Sequence, residues 1–214
     1  MMTTGPSVPW RSSTEVVPSV WHLNFKSQYL LAATFVRFQE YYESPRFRGD
    51  VFSLEDFMDW YADTNGKFSY FEDWSGFNIP SYAFEPFKNG AFDPLSRKER
   101  SLLQFFDATP QPFYVIGSFG EGDARIIEHE TAHGLFYTSP GYKKRVMGVL
   151  KTIDPAPIHK MLGDGLGYHP AVFDDETHAY LLDLPYLKKQ SIDVEPLKGA
   201  SARLKRLVKK FSKG

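Results

Sequence analysis

The sequence predicts an α+β fold that is mostly helical and contains a small sheet. Several segments repeat apolar residues at intervals of three and four, which is the spacing of an amphipathic helix. One short stretch, residues 113–118, is rich in aromatic and β-branched residues and is bounded by Pro and Gly, which is typical of a strand. Aromatic residues make up 16% of the 214 residues, which is enough to fill a sizeable hydrophobic core.

The first half of the chain is predicted to contain a flexible lead and three helices. Residues 1–18 hold Pro, Ser and Thr without an apolar run, which is typical of a flexible lead. A broad apolar face over residues 27–43 and a capped, amphipathic pattern over residues 53–66 predict two helices. A third helix is predicted over residues 95–106. Residues 67–87 are rich in aromatic and turn-forming residues, which predicts irregular structure with short extended pieces.

The second half is predicted to be organised around one central helix. After the strand at residues 113–118, a turn ending in Asp123 is expected to cap a helix over residues 124–137. Residues 171–173 are predicted to be a short extended piece and residues 185–196 a loop. Four further helices are predicted from apolar spacing and capping residues, at 142–153, 155–162, 174–182 (with Asp174 or Asp175 as its cap) and 199–213.

Charge and composition divide the chain into a body and a tail. Residues 19–197 are predicted to form one α+β domain, and residues 198–214 a basic amphipathic helix. The tail holds seven basic and no acidic residues, a charge of +7, so the rest of the chain carries −8 and the total charge is −1. We expect the tail either to dock on the body through its apolar stripe or to make a weak contact with an anionic membrane or a nucleic acid.

Composition also excludes several classes of protein. The chain has no Cys, which excludes disulfides and thiolate zinc sites, so any metal must be bound by His, Asp or Glu. No apolar run approaches the roughly 20 residues of a membrane-spanning helix. The start of the chain lacks the apolar segment of a secretory signal. A cytoplasmic location is therefore expected.

The central helix contains the sequence His-Glu-x-x-His. On a helix, His129 and His133 lie on one face, separated by roughly 6 Å along the axis. Two imidazoles placed in this way can bind one metal ion from the same side. Glu130 projects near the edge of this site, where its carboxylate can take a proton from a metal-activated water. Ile126 and Ile127 precede the motif and indicate that part of the helix is buried.

This segment resembles the active-site helix of the zincin metallopeptidases, and the resemblance is confined to the metal-site segment. It implies a zincin-like fold with the small sheet beside this helix. It also implies that His129 and His133 bind Zn²⁺ and that Glu130 is the general base. The implied function is that of a zinc-dependent hydrolase, a metallopeptidase that acts on a peptide or protein substrate.

A catalytic zinc site needs a third protein ligand. The metzincin branch requires a Gly and a third His soon after the motif, and this chain has Phe136 and Ser139 at those positions, which excludes that branch. The gluzincin branch takes a Glu from a later helix, and Glu176 matches this pattern in a Glu-x-x-Ala sequence. Asp175 and His178 are alternatives, because the sequence does not fix which face of their helix points inward.

Other residues are candidates for supporting roles. Asp174 could accept a hydrogen bond from a ligand imidazole. Tyr137, Tyr168 and Tyr180 could each supply a phenol that polarises a substrate carbonyl, and Tyr180 is taken as the catalytic candidate. By analogy with the zincins, the strand at residues 113–118 is expected at a sheet edge, where it could pair with an extended peptide.

Two alternative functions remain. Glu130-x-x-His133 and Asp175-x-x-His178 are pairs of the kind that di-iron carboxylate proteins place on bundle helices. A mononuclear non-haem iron site of two His and one carboxylate is also chemically possible, and either iron site would make the protein an oxidoreductase. The other alternative is a non-catalytic binding protein that is stabilised by its metal and carries a basic tail.

Overall fold

The computed structural model describes residues 8–120 and 124–213 of the chain. It is 57% helical with a mixed four-stranded sheet, so the predicted α+β class is confirmed. The strands are β1 (Trp10–Val17), β2 (Val20–Phe25), β3 (Gly76–Pro80) and β4 (Tyr114–Phe119). The helices are α1 (Gln28–Glu43), α2 (Leu54–Asn65), α3 (Tyr70–Asp73), α4 (Glu85–Lys88), α5 (Arg97–Phe105), α6 (Ala124–Thr138), α7 (Pro140–Leu150), α8 (Ala156–Lys160), α9 (Phe173–Tyr180), α10 (Leu184–Lys189) and α11 (Lys198–Phe211).

Contacts group the chain into two compact units. The first unit contains Met1–Glu15 and Trp21–Asp123, and the second contains Val16–Val20 and Ala124–Gly214. Two such units can be parts of one folding domain, so the predicted single domain over residues 19–197 stays a prediction.

The N-terminal segment pairs into the sheet. The prediction of a flexible lead over residues 1–18 is wrong for β1, and residues 1–7 of that lead lie outside the described residues. Trp10 is only 4% exposed and packs edge-to-face against Phe25 and Phe105, at centroid distances of 5.9 and 5.3 Å. This aromatic anchor fixes the start of β1 to the core of the first unit.

The strand order in the sheet is β1-β2-β4-β3. β3 and β4 are antiparallel, with Gly76 opposite Ser118 and Pro80 opposite Tyr114. β4 therefore has a neighbour on both sides, and the expectation that it lies at a sheet edge is wrong. Its backbone groups are used within the sheet, so β4 cannot pair with an extended peptide as predicted.

The first two helices begin and end at the residues that the sequence predicts. The Ser27 side chain accepts a hydrogen bond from the amide of Leu30 at the start of α1. Ser53 forms a capping box with Asp56 at the start of α2, and Gly66 ends that helix in the left-handed conformation, with φ of 79°. Local capping chemistry is sufficient to define both helices.

The aromatic segment at residues 67–87 supplies much of the core of the first unit. It contains the predicted extended piece, β3, but also the short helices α3 and α4, which the sequence did not predict. Tyr70, Phe77, Phe84 and Phe87 are buried there, at 4% exposure or less. These four rings therefore belong to the hydrophobic core of the first unit.

The core of the first unit includes a buried charged pair. Arg37 of α1 and Glu99 of α5 form a two-pronged ion pair, in which Nε–Oε1 and Nη2–Oε2 are both 2.7 Å apart. Glu99 also closes a capping box with Ser96, which explains why α5 begins at Arg97 and not at the predicted residue 95. The pair joins two helices that are distant in sequence.

The second unit is helical, as predicted, with shifted boundaries. α6 agrees with the predicted helix at 124–137, although its expected cap, Asp123, lies outside the described residues. α7 begins at Pro140, because Ser139 caps it and Pro is favoured in a first helical turn. α8 lies inside the helix predicted at 155–162 and continues as a π-helical turn over Met161–Gly165.

Three predictions in the second unit are wrong. Residues 171–173 are not extended, because Pro170–Val172 form a 3-10 turn that leads directly into α9. Asp174 and Asp175 therefore lie in the first turn of α9 and do not cap it. The loop predicted at 185–196 overlaps α10, which Asp183 caps by accepting a hydrogen bond from the amide of Tyr186. The C-terminal helix is confirmed as α11.

In the described part of the chain, no helix has both the length and the apolar character needed to cross a bilayer.

Candidate metal centre

Helices α6 and α9 bring together the three residues that the sequence proposes as metal ligands. The Nε2 atoms of His129 and His133 are 3.1 Å apart. Glu176 Oε2 lies 3.9 Å from the His129 Nε2 and 3.7 Å from the His133 Nε2. In a tetrahedral zinc site with bonds of 2.0–2.1 Å, ligand atoms are about 3.3 Å apart. The three side chains therefore fit one metal ion after small adjustments, and within the described residues they form the group that could hold one.

The helical spacing explains why these atoms converge. His129 and His133 are one turn apart on α6, and Ala132 and Leu135 of the same helix are buried, at 0% and 2% exposure. The apolar face fixes the rotation of α6, so both imidazoles point to the same side. Glu176 lies in the first turn of α9, which packs against α6.

Asp175 holds one of the two imidazoles in place. Its Oδ1 lies 2.9 Å from His133 Nδ1 and 3.3 Å from His178 Nδ1. Burial alone would raise the pKa of Asp175, but the charges and hydrogen bonds of His133 and His178 outweigh it and lower this pKa. Asp175 therefore stays ionised. It has the role predicted for Asp174, which is exposed, and a carboxylate at this position orients a metal-binding His.

His178 supports Asp175 from the other side. Its side chain is fully buried, and its Nδ1 lies 2.7 Å from the backbone carbonyl oxygen of Asp175. Because a carbonyl oxygen only accepts, the Nδ1 of His178 carries the proton. The ring also stacks on Phe136, with centroids 5.1 Å apart. Of the three candidates for the third ligand, Glu176 is thus the one that joins the two imidazoles of α6.

The two imidazoles of α6 have opposite pKa shifts. Burial, together with the charge of His133, lowers the pKa of His129 to about 3. Burial would also lower the pKa of His133, but Asp175, Glu176 and Glu130 outweigh it and raise this pKa to about 10. A doubly protonated His133 can donate Nδ1–H to Asp175 and Nε2–H to the lone pair on His129 Nε2. A metal ion at this place would replace that second proton.

Glu130 is a buried carboxyl group beside these residues. Burial raises its pKa, the charge of His133 partly offsets this shift, and Asp175 adds to it. Its Oε2 atom is buried and has no hydrogen-bond partner among the described residues. A carboxylate with a raised pKa is better matched to accept a proton near neutral pH than an ordinary exposed Glu.

Tyr180 lies at the edge of the cluster. Its ring centroid is 4.9 Å from that of His129, and it stacks on Tyr186 at 5.1 Å. Burial, followed by the charge of Tyr168 and a hydrogen bond with it, raises the pKa of Tyr180. Tyr137 is half-buried, one turn beyond His133 on α6. A catalytic role for any of these phenols stays a prediction.

Comparisons of the chain with protein-family models, curated proteins and solved structures give no match. Function must therefore be inferred from the residues of α6 and α9 themselves.

Proposed function

We propose that the protein is a zinc-dependent hydrolase with a zincin-like arrangement, and that its substrate is a peptide or protein. The observation that carries the proposal is the convergence of His129, His133 and Glu176 within 3.9 Å of one another. Asp175 beside His133 and the buried Glu130 add the two further groups that a hydrolytic zinc site needs.

Each residue has a chemical task in this proposal. A zinc ion held by the three ligands supplies Lewis-acid polarisation of a carbonyl and lowers the pKa of water toward about 7. Glu130 takes a proton from the attacking water and passes it to the leaving amine nitrogen. The raised pKa of Tyr180 keeps its phenol protonated, so it can donate a hydrogen bond to the substrate oxygen as negative charge develops.

The substitution Glu130→Gln separates metal binding from hydrolysis. It keeps the size of the side chain but removes the base, so we expect zinc content to stay near one ion per chain and peptide hydrolysis to fall by about 10²–10⁴-fold. Zinc is measured by elemental analysis of purified protein, and hydrolysis with a pool of fluorogenic peptides. Glu128→Gln is the matched control, since Glu128 is an exposed residue of the same helix.

The outcomes of this experiment discriminate among the proposed functions. Equal hydrolysis by Glu130→Gln and the unmodified protein would reject Glu130 as the base. A full complement of zinc without hydrolysis by the unmodified protein would favour the non-catalytic, metal-stabilised binding protein. Absence of bound metal after zinc is supplied would show that His129, His133 and Glu176 do not form a metal site.

A mononuclear iron site is the second candidate, because two His and one carboxylate are also the ligands of non-haem iron oxygenases. Iron in place of zinc after purification from cells supplied with both metals would favour an oxidoreductase. The di-iron alternative has less support, because Asp175 Oδ1 is already at hydrogen-bond distance from His133 Nδ1. Two iron ions per chain would nevertheless reject the zinc proposal.

A further inference from the structure

Helices α7 and α11 of the second unit carry three and six basic residues, and neither contains an Asp or a Glu. The shorter helices α8 and α10 also lack acidic residues, but they hold only one and two Lys. Together with the residues that directly follow them, α7 and α11 hold eleven of the 25 basic residues of the chain, which are Lys143, Lys144, Arg145, Lys151, Lys198, Arg203, Lys205, Arg206, Lys209, Lys210 and Lys213. The remaining fourteen basic and 26 acidic residues give the rest of the chain a charge of −12.

The two helices pack in antiparallel directions. Phe211, at the end of α11, packs edge-to-face on Tyr142 in the first turn of α7, with centroids 5.5 Å apart. At the other end, Arg203 Nη1 donates to Thr152 Oγ1, just beyond α7, at 3.4 Å. The basic run at the start of α7 therefore lies beside the basic run at the end of α11.

Most of these basic side chains point to solvent without a carboxylate partner. The basic surface is defined here by six exposed residues, Lys144, Arg145, Lys205, Arg206, Lys209 and Lys210. No ion pair described in the structure involves any of the six. Lys205 and Lys209, like Arg206 and Lys210, are one helical turn apart, so like charges are neighbours on the helix and destabilise it.

Helix capping by charge explains only part of this pattern. Lys209 and Lys210 lie in the last turn of α11, where the helix dipole favours cations. Lys144 and Arg145 lie in the middle of α7, outside the last turn in which the dipole favours cations. Their position beside the end of α11 therefore concentrates charge beyond what helix stability requires.

We propose that this basic surface binds the phosphate backbone of double-stranded nucleic acid without reading its sequence. A row of cations matches the regular negative charge of a duplex, and this surface is positive although the chain outside the eleven basic residues of α7, α11 and their flanks carries a net charge of −12. Lys and Arg side chains neutralise phosphates and release their counterions, so the proposed binding depends strongly on salt.

The apolar residues of α11 argue against a membrane as the partner. Leu204 is fully buried and Leu207, Val208 and Phe211 are half-buried, so the stripe that could enter a bilayer is already used inside the unit. Within the described residues, neither helix has a large exposed hydrophobic side chain. An exposed aromatic platform, on which the bases of a single strand would stack, is therefore also missing from the described part of this surface.

Fluorescence anisotropy with a labelled DNA duplex of about 20 base pairs tests this proposal. If four to six phosphates are contacted, the affinity falls by about 10²–10³-fold between 50 and 200 mM salt. The substitutions Lys144→Gln, Arg145→Gln, Lys209→Gln and Lys210→Gln, made together, are expected to weaken binding at 50 mM salt by more than about tenfold. They also flatten the slope of log affinity against log salt by about 3–4.

The matched control also removes four positive charges, but at positions outside the basic surface. It combines Arg48→Gln, Lys67→Gln, Lys88→Gln and Lys189→Gln, all exposed and outside α7 and α11. The proposal predicts near-normal duplex binding for this control. It is overturned if the control loses as much affinity as the surface variant, if the surface variant binds as the unmodified protein does, or if phosphatidylserine vesicles are bound more tightly than the duplex. Unchanged circular dichroism of the variants shows that folding is not the cause of a loss.

Discussion

Asp175 is the residue on which the geometry of the candidate metal centre most depends. One of its oxygen atoms is within 3.3 Å of two imidazole nitrogens, those of His133 and His178. This contact sets the orientation of the His133 ring and leaves its Nε2 atom facing His129 and Glu176. The carboxylate also makes His133 more basic, and a more basic imidazole is a stronger metal ligand.

The substitution Asp175→Asn should weaken metal binding without removing a ligand. The amide keeps the size of the side chain and can still accept a hydrogen bond, but it loses the negative charge. We expect the zinc affinity, measured by competition with a chromogenic chelator, to fall by about 10–100-fold. Asp174→Asn makes the same change at an exposed neighbour and should leave the affinity within about twofold of normal. Equal affinities for the two variants would show that Asp175 does not support the site.

At the scale of helices and strands, the sequence predicts those elements whose position is set by their own capping residues and apolar spacing. α1, α2 and α6 have caps or apolar spacing that need no distant partner, so both their positions and the His129–His133 pair could be predicted. The sequence does not predict β1 and β2, because Pro18 and Ser19, the two residues between them, are not among the dipeptides that mark a hairpin turn.

The rest of the site depends on one residue of helix register. Successive side chains on an α-helix are rotated by about 100°. If α9 began one residue earlier or later, a different residue would therefore take the position that Asp175 has beside His133. The start at Phe173 follows from the preceding 3-10 turn, which the His169 side chain caps by accepting a hydrogen bond from the amide of Ala171. His is not among the residues preferred at helix N-caps, so the sequence does not predict this start.

Because α9 starts at Phe173, the residue that holds His133 is Asp175 and not the expected Asp174. Glu176, the expected third ligand, lies within 3.9 Å of both imidazoles, and its role as a ligand stays a prediction.

Contact between α1 and β4 depends on a glycine in the strand. A Cβ atom at Gly117 would lie 2.8 Å from both Leu31 Cδ1 and Phe35 Cε2, which is closer than real Cβ contacts. Gly117→Ala is therefore expected to lower the free energy of unfolding by about 1–3 kcal/mol, because two buried side chains of α1 must shift. Urea unfolding, followed by tryptophan fluorescence, measures this change.

The neighbouring strand offers a control for this glycine. A Cβ atom at Gly76 of β3 would meet only the carbonyl oxygen of Gly117, at an ordinary 3.7 Å. Gly76→Ala should change the free energy of unfolding by less than about 0.5 kcal/mol. If Gly117→Ala is no more destabilising than this control, the close approach of α1 to β4 is not required for stability.

At the scale of the whole molecule, a bound metal links the site to the stability of the chain. A ligand that binds only the folded state stabilises it by about 2.7 kcal/mol at a free concentration of 100 Kd. The ligand set joins α6 to α9, whose chain positions are separated by α7 and α8. Metal binding therefore closes a long segment of the second unit, and its effect on unfolding reports on the site without the need for a substrate.

This stabilisation should increase with pH. The pKa of His133 is about 10 in the folded protein, above its ordinary value of 6.5, so binding a metal between pH 6 and 8 displaces one proton. Zinc affinity then rises about tenfold per pH unit, and zinc stabilisation grows by about 2.7 kcal/mol from pH 6 to 8. Without metal the sign is opposite, because the stability from protonated His133 is complete below pH 6.5 and is lost as pH rises toward 10.

Urea unfolding at pH 6, 7 and 8, with and without a fixed excess of zinc, measures both trends. His133→Asn should abolish the zinc effect at every pH, whereas His169→Asn, at an exposed position outside the cluster, should retain it. Magnesium, which prefers oxygen ligands and keeps most of its waters, should not replace zinc. A zinc stabilisation that is the same at pH 6 and pH 8 would mean that no proton leaves on binding, and that His133 is not the residue that exchanges its proton for the metal.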